Sequence, residues 1–517
     1  MPLSAIVWFI RIMENIRTLD VCRATKVGHS PSTRLRFSQM LFTSYTFALF
    51  VVAAFGVYYL AARLSRGRRL QNLALLALSY VFYALWDWRW CLLLLCVTAS
   101  GFGAGLLLER PRARRRTILV VVLVIDLAIL AAFKYLGFFA ESFASFFSSI
   151  GLNADWVTLH LALPVGLSYY VFQNLSYVID VYRRQLPATT GVVEYATALS
   201  FFPQLLAGPI TRPRDLLPQL FQRRGFDDRR ARDGLRQILW GLTKKVLIAD
   251  NIGAQVDEVW SNIGEADGVT LAITAVLYSF QIYCDFSGYA DMAIGTAKLF
   301  NLRLSKNFDY PYFSTSIRDF WRRWHITLAG WMRDYLYIPL GGSRCGVLRH
   351  TFNVLVTFVV VGLWHGANPT YLVWGLFHGL CLSVENLFRR ARRSKQVGAA
   401  ETEARGLLGR VTAGVVVFVL VTFAWIFFRA PSLTAAVDFL AQGVTHPVSG
   451  GEYVQYLPML AVSGALLVYE RLTRRWEHGF AFGRAPLSVR WAVYLVVCVV
   501  LLLFGQFGGQ QGIYVQF

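Results

Sequence analysis

Charged side chains are scarce in this chain. They make up 16% of its 517 residues, against the quarter or so expected of a soluble protein of that size. Cysteine is sparse and unpatterned as well. The seven cysteines form no CxxC pair, and Cys91, Cys96, Cys381 and Cys498 lie in apolar runs. They read as small packing residues rather than disulfide partners or metal ligands. No HExxH or comparable ligand spacing is present, so no metal is expected. A Walker-type loop, a GxGxxG after a strand and a G-x-S-x-G elbow are missing too, which removes the common nucleotide-binding and serine-hydrolase readings.

What fills the chain instead is apolar sequence, 56% of all residues. Runs at 41–62, 117–133 and 491–504 approach or reach spanning length. The expected fold is all-α, a polytopic integral membrane protein in contact with membrane lipid. The net charge of +21 raises the question of nucleic acid, but the arginines sit in short clusters between apolar runs. That is the positive-inside pattern, and no nucleic-acid partner is expected.

Residues 1–39 differ from the rest, with a short apolar piece at 5–10 and six Lys/Arg against two acids. The piece is too short to span and no A-x-A-like site follows it. Met40 then opens a normal first span, so residues 1–39 read as a doubtful extension and residues 40–517 as one membrane domain. That span ends in Arg63, Arg66, Arg68 and Arg69, which places its start outside. Further spans are expected near 70–86, 90–108, 117–137, 161–181, 237–257, 268–283, 370–388, 409–428, 454–470 and 489–506. A deep helix over 351–364 lies among them. The total is about eleven spans plus re-entrant or interfacial pieces, with basic clusters such as 110–116, 389–395 and 471–475 inside and the C-terminus outside. Gly101 and Gly105 suggest close helix packing. The stretch 199–213 (LSFFPQLLAGPITRP) is apolar but broken by Pro203, Gly208, Pro209 and Pro213, and is read as a re-entrant element; the competing reading is an interfacial helix. Residues 389–406 form the clearest linker. Asp285, at the inner end of its span, is either a functional carboxylate or a structural partner for an arginine.

The most informative stretch is 316–369. It holds His325 and His365, each directly after a tryptophan (Trp324, Trp364) and set in apolar sequence. Burial keeps a histidine neutral, the state a general base needs. On a 3.6-residue helix Trp321, Trp324, His325, Leu328, Trp331, Met332 and Tyr335 share one side, which predicts one amphipathic helix near the inner leaflet. His365 falls at a helix break before Asn368-Pro369, a pair suited to an N-cap and first turn. His378 is the weakest of the three histidines, a residue expected to hydrogen-bond within the bundle. The residues alone stop at a membrane enzyme or a transporter with a histidine-lined cavity.

The chain also resembles the membrane-bound O-acyltransferase superfamily, in particular its alginate O-acetyltransferase branch. The likeness is carried by LPVGLSYYVFQNLSYVIDVYR (163–183), FFPQLLAGPITR (201–212), QIYCDFSGYADMAIGTAKLFNLRLSKNFDYPY (281–312), DFWRRWHITLAGWMRDYLYIPLGG (319–342) and GLWHGANPTYLVWGLFHG (362–379), and it extends over nearly all of 40–517. YCDFSGY and DYLYIPLGG favour the polysaccharide-acetylating branch over the teichoic-acid D-alanyl one. The resemblance implies a bacterial inner-membrane enzyme with His365 as the essential histidine and His325 as the second. It implies acetyl-CoA as cytoplasmic donor, with no tightly bound cofactor, and relay of the acetyl group to an extracytoplasmic acetyltransferase partner for an exported polysaccharide. Trp324, Trp364, Asp285, Gln204 and Asn368 are the candidate substrate-binding residues. The alternative is a transporter or export component that makes no bonds.

Overall fold

The computed structural model describes residues 40–149, 164–206, 208–395, 406–448, 451–482, 485–507 and 513; the reading of residues 1–39 as an extension falls outside them. Every regular element among the described residues is helical. In chain order these are α1 (Tyr45–Leu64), α2 (Arg68–Leu108), α3 (Arg115–Ser149), α4 (Leu167–Tyr182), α5 (Val192–Ser200), α6 (Phe202–Leu205), α7 (Pro213–Leu220), α8 (Asp228–Leu242) and α9 (Asp250–Ser261). Then follow α10 (Gly268–Leu299), α11 (Ile317–Arg323), α12 (Ile326–Met332), α13 (Val347–His365), α14 (Pro369–Lys395), α15 (Leu407–Arg429), α16 (Leu433–Thr445), α17 (Leu457–Thr473) and α18 (Leu487–Phe504). Side-chain caps start several of them: Ser44 accepts from the Phe47 N–H, Asp267 from Thr270, Ser316 from Asp319 and Ser432 from Ala435.

Seven helices among the described residues are long and apolar enough to cross a membrane. Two others of the expected spans are short, α4 with 16 residues and α17 with 17, while 237–257 lies on the continuous helical run of α8, the π-helical turn Thr243–Ala249 and α9. The total of about eleven is therefore not reproduced by length and apolarity. α2 counts once but folds back on itself. Asp87 is extended (φ −161°, ψ 118°), and the Cys91 thiol reaches the Tyr80 carbonyl at 3.7 Å. In a straight helix those residues would be about 16 Å apart. The expected pair of spans with a turn at DWRW is thus present.

Two glycine arrangements set the packing. A Cβ at Gly101 or Gly105 would strike Asn174 or Tyr177 of α4, so the expected close approach is real. Gly234 and Gly241 on α8 face Gly295 and Gly288 on α10, where an added Cβ would meet the opposite backbone carbonyl at 2.5–2.8 Å. The stretch 199–213 is broken into α5, α6 and the start of α7. Leu205, Leu206, Ile210 and Arg212 are all buried. α6 sits between α2 and α10, so the broken backbone is enclosed by protein and is not an interfacial helix.

α8 continues into a π-helical turn, Thr243–Ala249, which brings two consecutive buried lysines toward α10. Lys244 bonds the Ser287 hydroxyl at 2.8 Å and the Asp291 carboxylate at 2.6 Å. Lys245 lies 2.6 Å from both Asp250 and Asp285. Asp285 also accepts from the Ile513 N–H at 2.8 Å. Asp285 is therefore engaged as an ion-pair partner, and its counter-charge is a lysine rather than the expected arginine. Replacing Lys245 by Met should strand two buried carboxylates and cost roughly 3–5 kcal/mol. Thermal unfolding of the detergent-purified protein reads this directly, and the Lys245→Met/Asp285→Asn double variant should recover part of the loss.

Candidate active site

The predicted amphipathic helix over 321–335 is not continuous. It is cut into α11 and α12 at Trp324-His325, and His325 takes left-handed backbone angles (φ 43°, ψ 53°) that a non-glycine residue rarely adopts. The cause is the segment 307–309, which wedges into the cut. The Ile326 N–H donates to the Asn307 carbonyl at 2.9 Å, and the Asp309 N–H donates to the Arg323 carbonyl at 2.9 Å. Backbone groups freed by the break thus find partners in an apolar interior where water is excluded.

The Asn307 side chain then fixes the imidazole. Its Oδ1 accepts from the Thr327 N–H at 3.3 Å and from the Thr327 hydroxyl at 2.8 Å, and it lies 3.1 Å from His325 Nδ1. An atom that accepts from a backbone N–H is the amide oxygen, so His325 Nδ1 must carry the proton. Nε2 is left as the hydrogen-bond acceptor. The Thr327 hydroxyl in turn accepts from the Ile210 N–H at 3.1 Å. One chain of hydrogen bonds therefore ties the 201–212 motif, Asn307 and His325 together. His325 lies outside the spanning helices, and burial holds its imidazole well below the usual histidine range.

His365 is the last residue of α13, buried at the break the sequence predicts. Asn368 caps the following helix by accepting from the Thr370 N–H at 3.0 Å, with Pro369 in its first turn. At the end of α13 the Tyr135 hydroxyl donates to the Leu363 carbonyl at 2.6 Å and Lys134 bonds the Trp364 carbonyl. A cation there also suits the negative end of the helix dipole.

Trp364 packs against both imidazoles. Its ring is 6.0 Å from His325 and 4.8 Å from His365, centre to centre. Phe286 closes on His325 at 4.7 Å, and Trp374 and Phe428 close on His365 at 5.1 and 5.0 Å. Both histidines thus sit at helix breaks in one aromatic chamber, with His325 beside the end of α13.

The other candidates are dispersed. Trp324 stands behind the chamber, packed on Phe308 at 5.1 Å and Trp425 at 5.0 Å. Gln204 donates to the Ala198 carbonyl at 2.7 Å and lies 3.4 Å from Gln173, which places it in the wall. Asn368 caps α14 and donates to the Pro431 carbonyl at 2.7 Å, and Asp285 pairs with Lys245. Sequence reasoning missed Asn307, Thr327, Trp374 and Lys134. Asn307 lies inside a quoted motif, but nothing in its spacing links it to a histidine 18 residues later. A cleft lined by Lys244, Tyr283, Ser287, Tyr310 and Glu470 reaches Asn307 from the far side.

The arrangement suits proton transfer: two buried imidazoles packed on the same indole, one of them locked in a single tautomer. Asn307→Leu removes the acceptor that sets this tautomer and should lower catalytic turnover by about a hundredfold, the lower range for a positioned proton-transfer group. Asn307→Asp keeps an acceptor oxygen and should stay within a few-fold of the parent in the same turnover assay.

Comparison with known proteins bears on the same residues. The model of "MBOAT, membrane-bound O-acyltransferase family" matches residues 48–427, so it stops short of the C-terminal stretch that the resemblance was expected to include. A probable alginate O-acetylase of Pseudomonas aeruginosa is 40% identical over 401 residues, covering 77% of this chain and 73% of that protein. The peptidoglycan O-acetyltransferase of Helicobacter pylori is 35% identical, covering 61% and 62%. A teichoic acid D-alanyltransferase of Bacillus subtilis is 25% identical, covering 44% and 60%, which agrees with the branch the motifs favour. With these matches over an all-helical membrane fold, the chain belongs to the membrane-bound O-acyltransferase family and is an integral membrane acyltransferase.

Proposed function

We propose that this protein takes an acetyl group from a cytoplasmic donor, acetyl-CoA, and passes it across the bacterial inner membrane for O-acetylation of an exported polysaccharide such as alginate. The observation that carries the reading is the pair of buried imidazoles flanking Trp364. His365 takes the proton from an attacking hydroxyl at the thioester carbonyl or returns it to the leaving thiolate. His325, with its proton on Nδ1, offers Nε2 as an acceptor, which suits orienting a hydroxyl-bearing acceptor better than stabilising an oxyanion. Residues 40–517 act as one domain. The basic clusters face the cytoplasm and both ends of that domain face outward. An extracytoplasmic acetyltransferase partner then receives the group. Support for a polysaccharide acceptor comes from the relatives, one printed as an alginate O-acetylase and another as a peptidoglycan O-acetyltransferase.

Release of free CoA from acetyl-CoA by the purified protein with its partner tests the reading. A bond-forming enzyme consumes the thioester, whereas an export component leaves it intact. His365→Ala should reduce CoA release by at least about a hundredfold while the protein still folds and inserts. Near-parental release in that variant defeats the assignment. His325→Ala should give a large but incomplete loss in the same assay; unchanged activity would make His325 a packing residue.

A further inference from the structure

His378 is fully buried and, contrary to the expectation from sequence, neither of its ring nitrogens has a hydrogen-bond partner among the described residues. It is boxed by aromatic rings: Trp321 at 5.1 Å, Trp374 at 5.2 Å, Phe320 at 6.2 Å and Trp425 at 6.3 Å. The indole N–H groups of Trp321 and Trp374 are unpartnered in the same way, as is the hydroxyl of Thr370. Native interiors leave few such groups, and a cluster of them normally shares an ordered guest.

Their placement gives the guest a direction. Thr370, Trp374, His378, Cys381 and Glu385 fall at i, i+4, i+8, i+11 and i+15 on α14, which is one stripe of a helix. At its upper end Trp374 touches both histidines, His365 at 5.1 Å and His378 at 5.2 Å. At its lower end Glu385 accepts from the Arg318 N–H at 3.2 Å and pairs with Arg389 at 2.9 Å, at the basic terminus of the helix. The stripe runs about 22 Å between Thr370 and Glu385. Waters bound to these groups would satisfy every one of them, whereas an apolar guest would satisfy none.

We infer that the α14 stripe holds a chain of ordered water linking His365 to the basic end of the helix, and that His378 is the positioning residue anchoring that chain at its middle. This rests on the reading of His365 as the base. When an attacking hydroxyl gives its proton to His365, the imidazolium passes a proton to the first water, each water passes one on, and a proton leaves at the Glu385 end, while the departing CoA thiolate takes one up from the cytoplasm. Along the chain only O–H and N–H bonds form and break, and the imidazole returns to neutral. His378 acts through hydrogen bonds, so any side chain of similar size that holds water can replace it.

Two measurements test this. The first needs no activity. In full-length protein with its other cysteines replaced by Ser or Ala, Cys381 should be shielded by silver ion, a water-borne probe, from later alkylation. A Leu380→Cys control facing away from the stripe should not be shielded. Cys381 that silver fails to shield would overturn the water chain whatever the enzyme's activity. The second measurement is kinetic. With acetyl-CoA as donor, His378→Phe should lower kcat at least tenfold with KM within twofold of the parent and no fall in unfolding temperature. His378→Gln should recover kcat to within threefold. Parental kcat in His378→Phe, or equal losses with raised KM in both variants, would make His378 a shape residue and overturn the inference. Failure of the parent protein to release CoA would instead count against the proposed function, while the silver measurement still decides the water chain.

Discussion

The interaction on which the site depends is the insertion of residues 307–309 into a broken helix. A helix interrupted away from water exposes N–H and C=O groups that must be paired, each at a cost of several kcal/mol if left alone. Here the Asn307 carbonyl and the Asp309 N–H pair them, and the same insertion places the Asn307 side chain on His325. The left-handed backbone of His325 is strain held in place by these partners. The second break, after His365, is closed by the same logic with different parts: Tyr135 and Lys134 cap the carbonyls of α13, and Asn368 caps the start of α14. Two satisfied breaks, brought together around Trp364, make a chamber from elements that would otherwise be plain helices.

The charged interior of the bundle answers to a different constraint. Lys244 and Lys245 are carried by a π-helical turn that directs both toward α10, where Asp285 and Asp291 meet them beside Asp250 of α9. Such pairs add little net stability over apolar packing, but losing one member is expensive. They hold α8, α9 and α10 in one register, and α10 carries Phe286 to the His325 ring. An intramembrane carboxylate can therefore serve the site by holding the helix that borders it.

Much of this was legible in the residues. The apolar runs and basic clusters give an all-helical membrane protein, Asn368-Pro369 gives the break beside His365, and the glycine pair at 101 and 105 gives close packing against α4. What stayed hidden depends on contacts distant in sequence. Helical periodicity over 321–335 is genuine, yet it cannot register that residues 307–309 offer better partners at one point, so it predicts a continuous helix through His325 where the structure has a break. The roles of Asp285 and Gln204 were hidden for the same reason. A buried carboxylate or amide looks alike in sequence whether it faces a substrate, a lysine or a backbone carbonyl. His378 is the converse case: its setting suggested a hydrogen bond within the bundle, and only the three-dimensional surroundings reveal a polar group with no partner among the described residues.

The central claim is that one aromatic chamber brings the acyl donor to both imidazoles. An electron cryomicroscopy structure of the protein with a non-transferable thioether analogue of acetyl-CoA tests it most directly. The account predicts density for the acetyl-bearing sulfur within about 3–4 Å of a His365 ring nitrogen, on the side of Trp364 that also faces His325. An analogue whose acetyl end sits elsewhere, with both imidazoles out of contact, would contradict it.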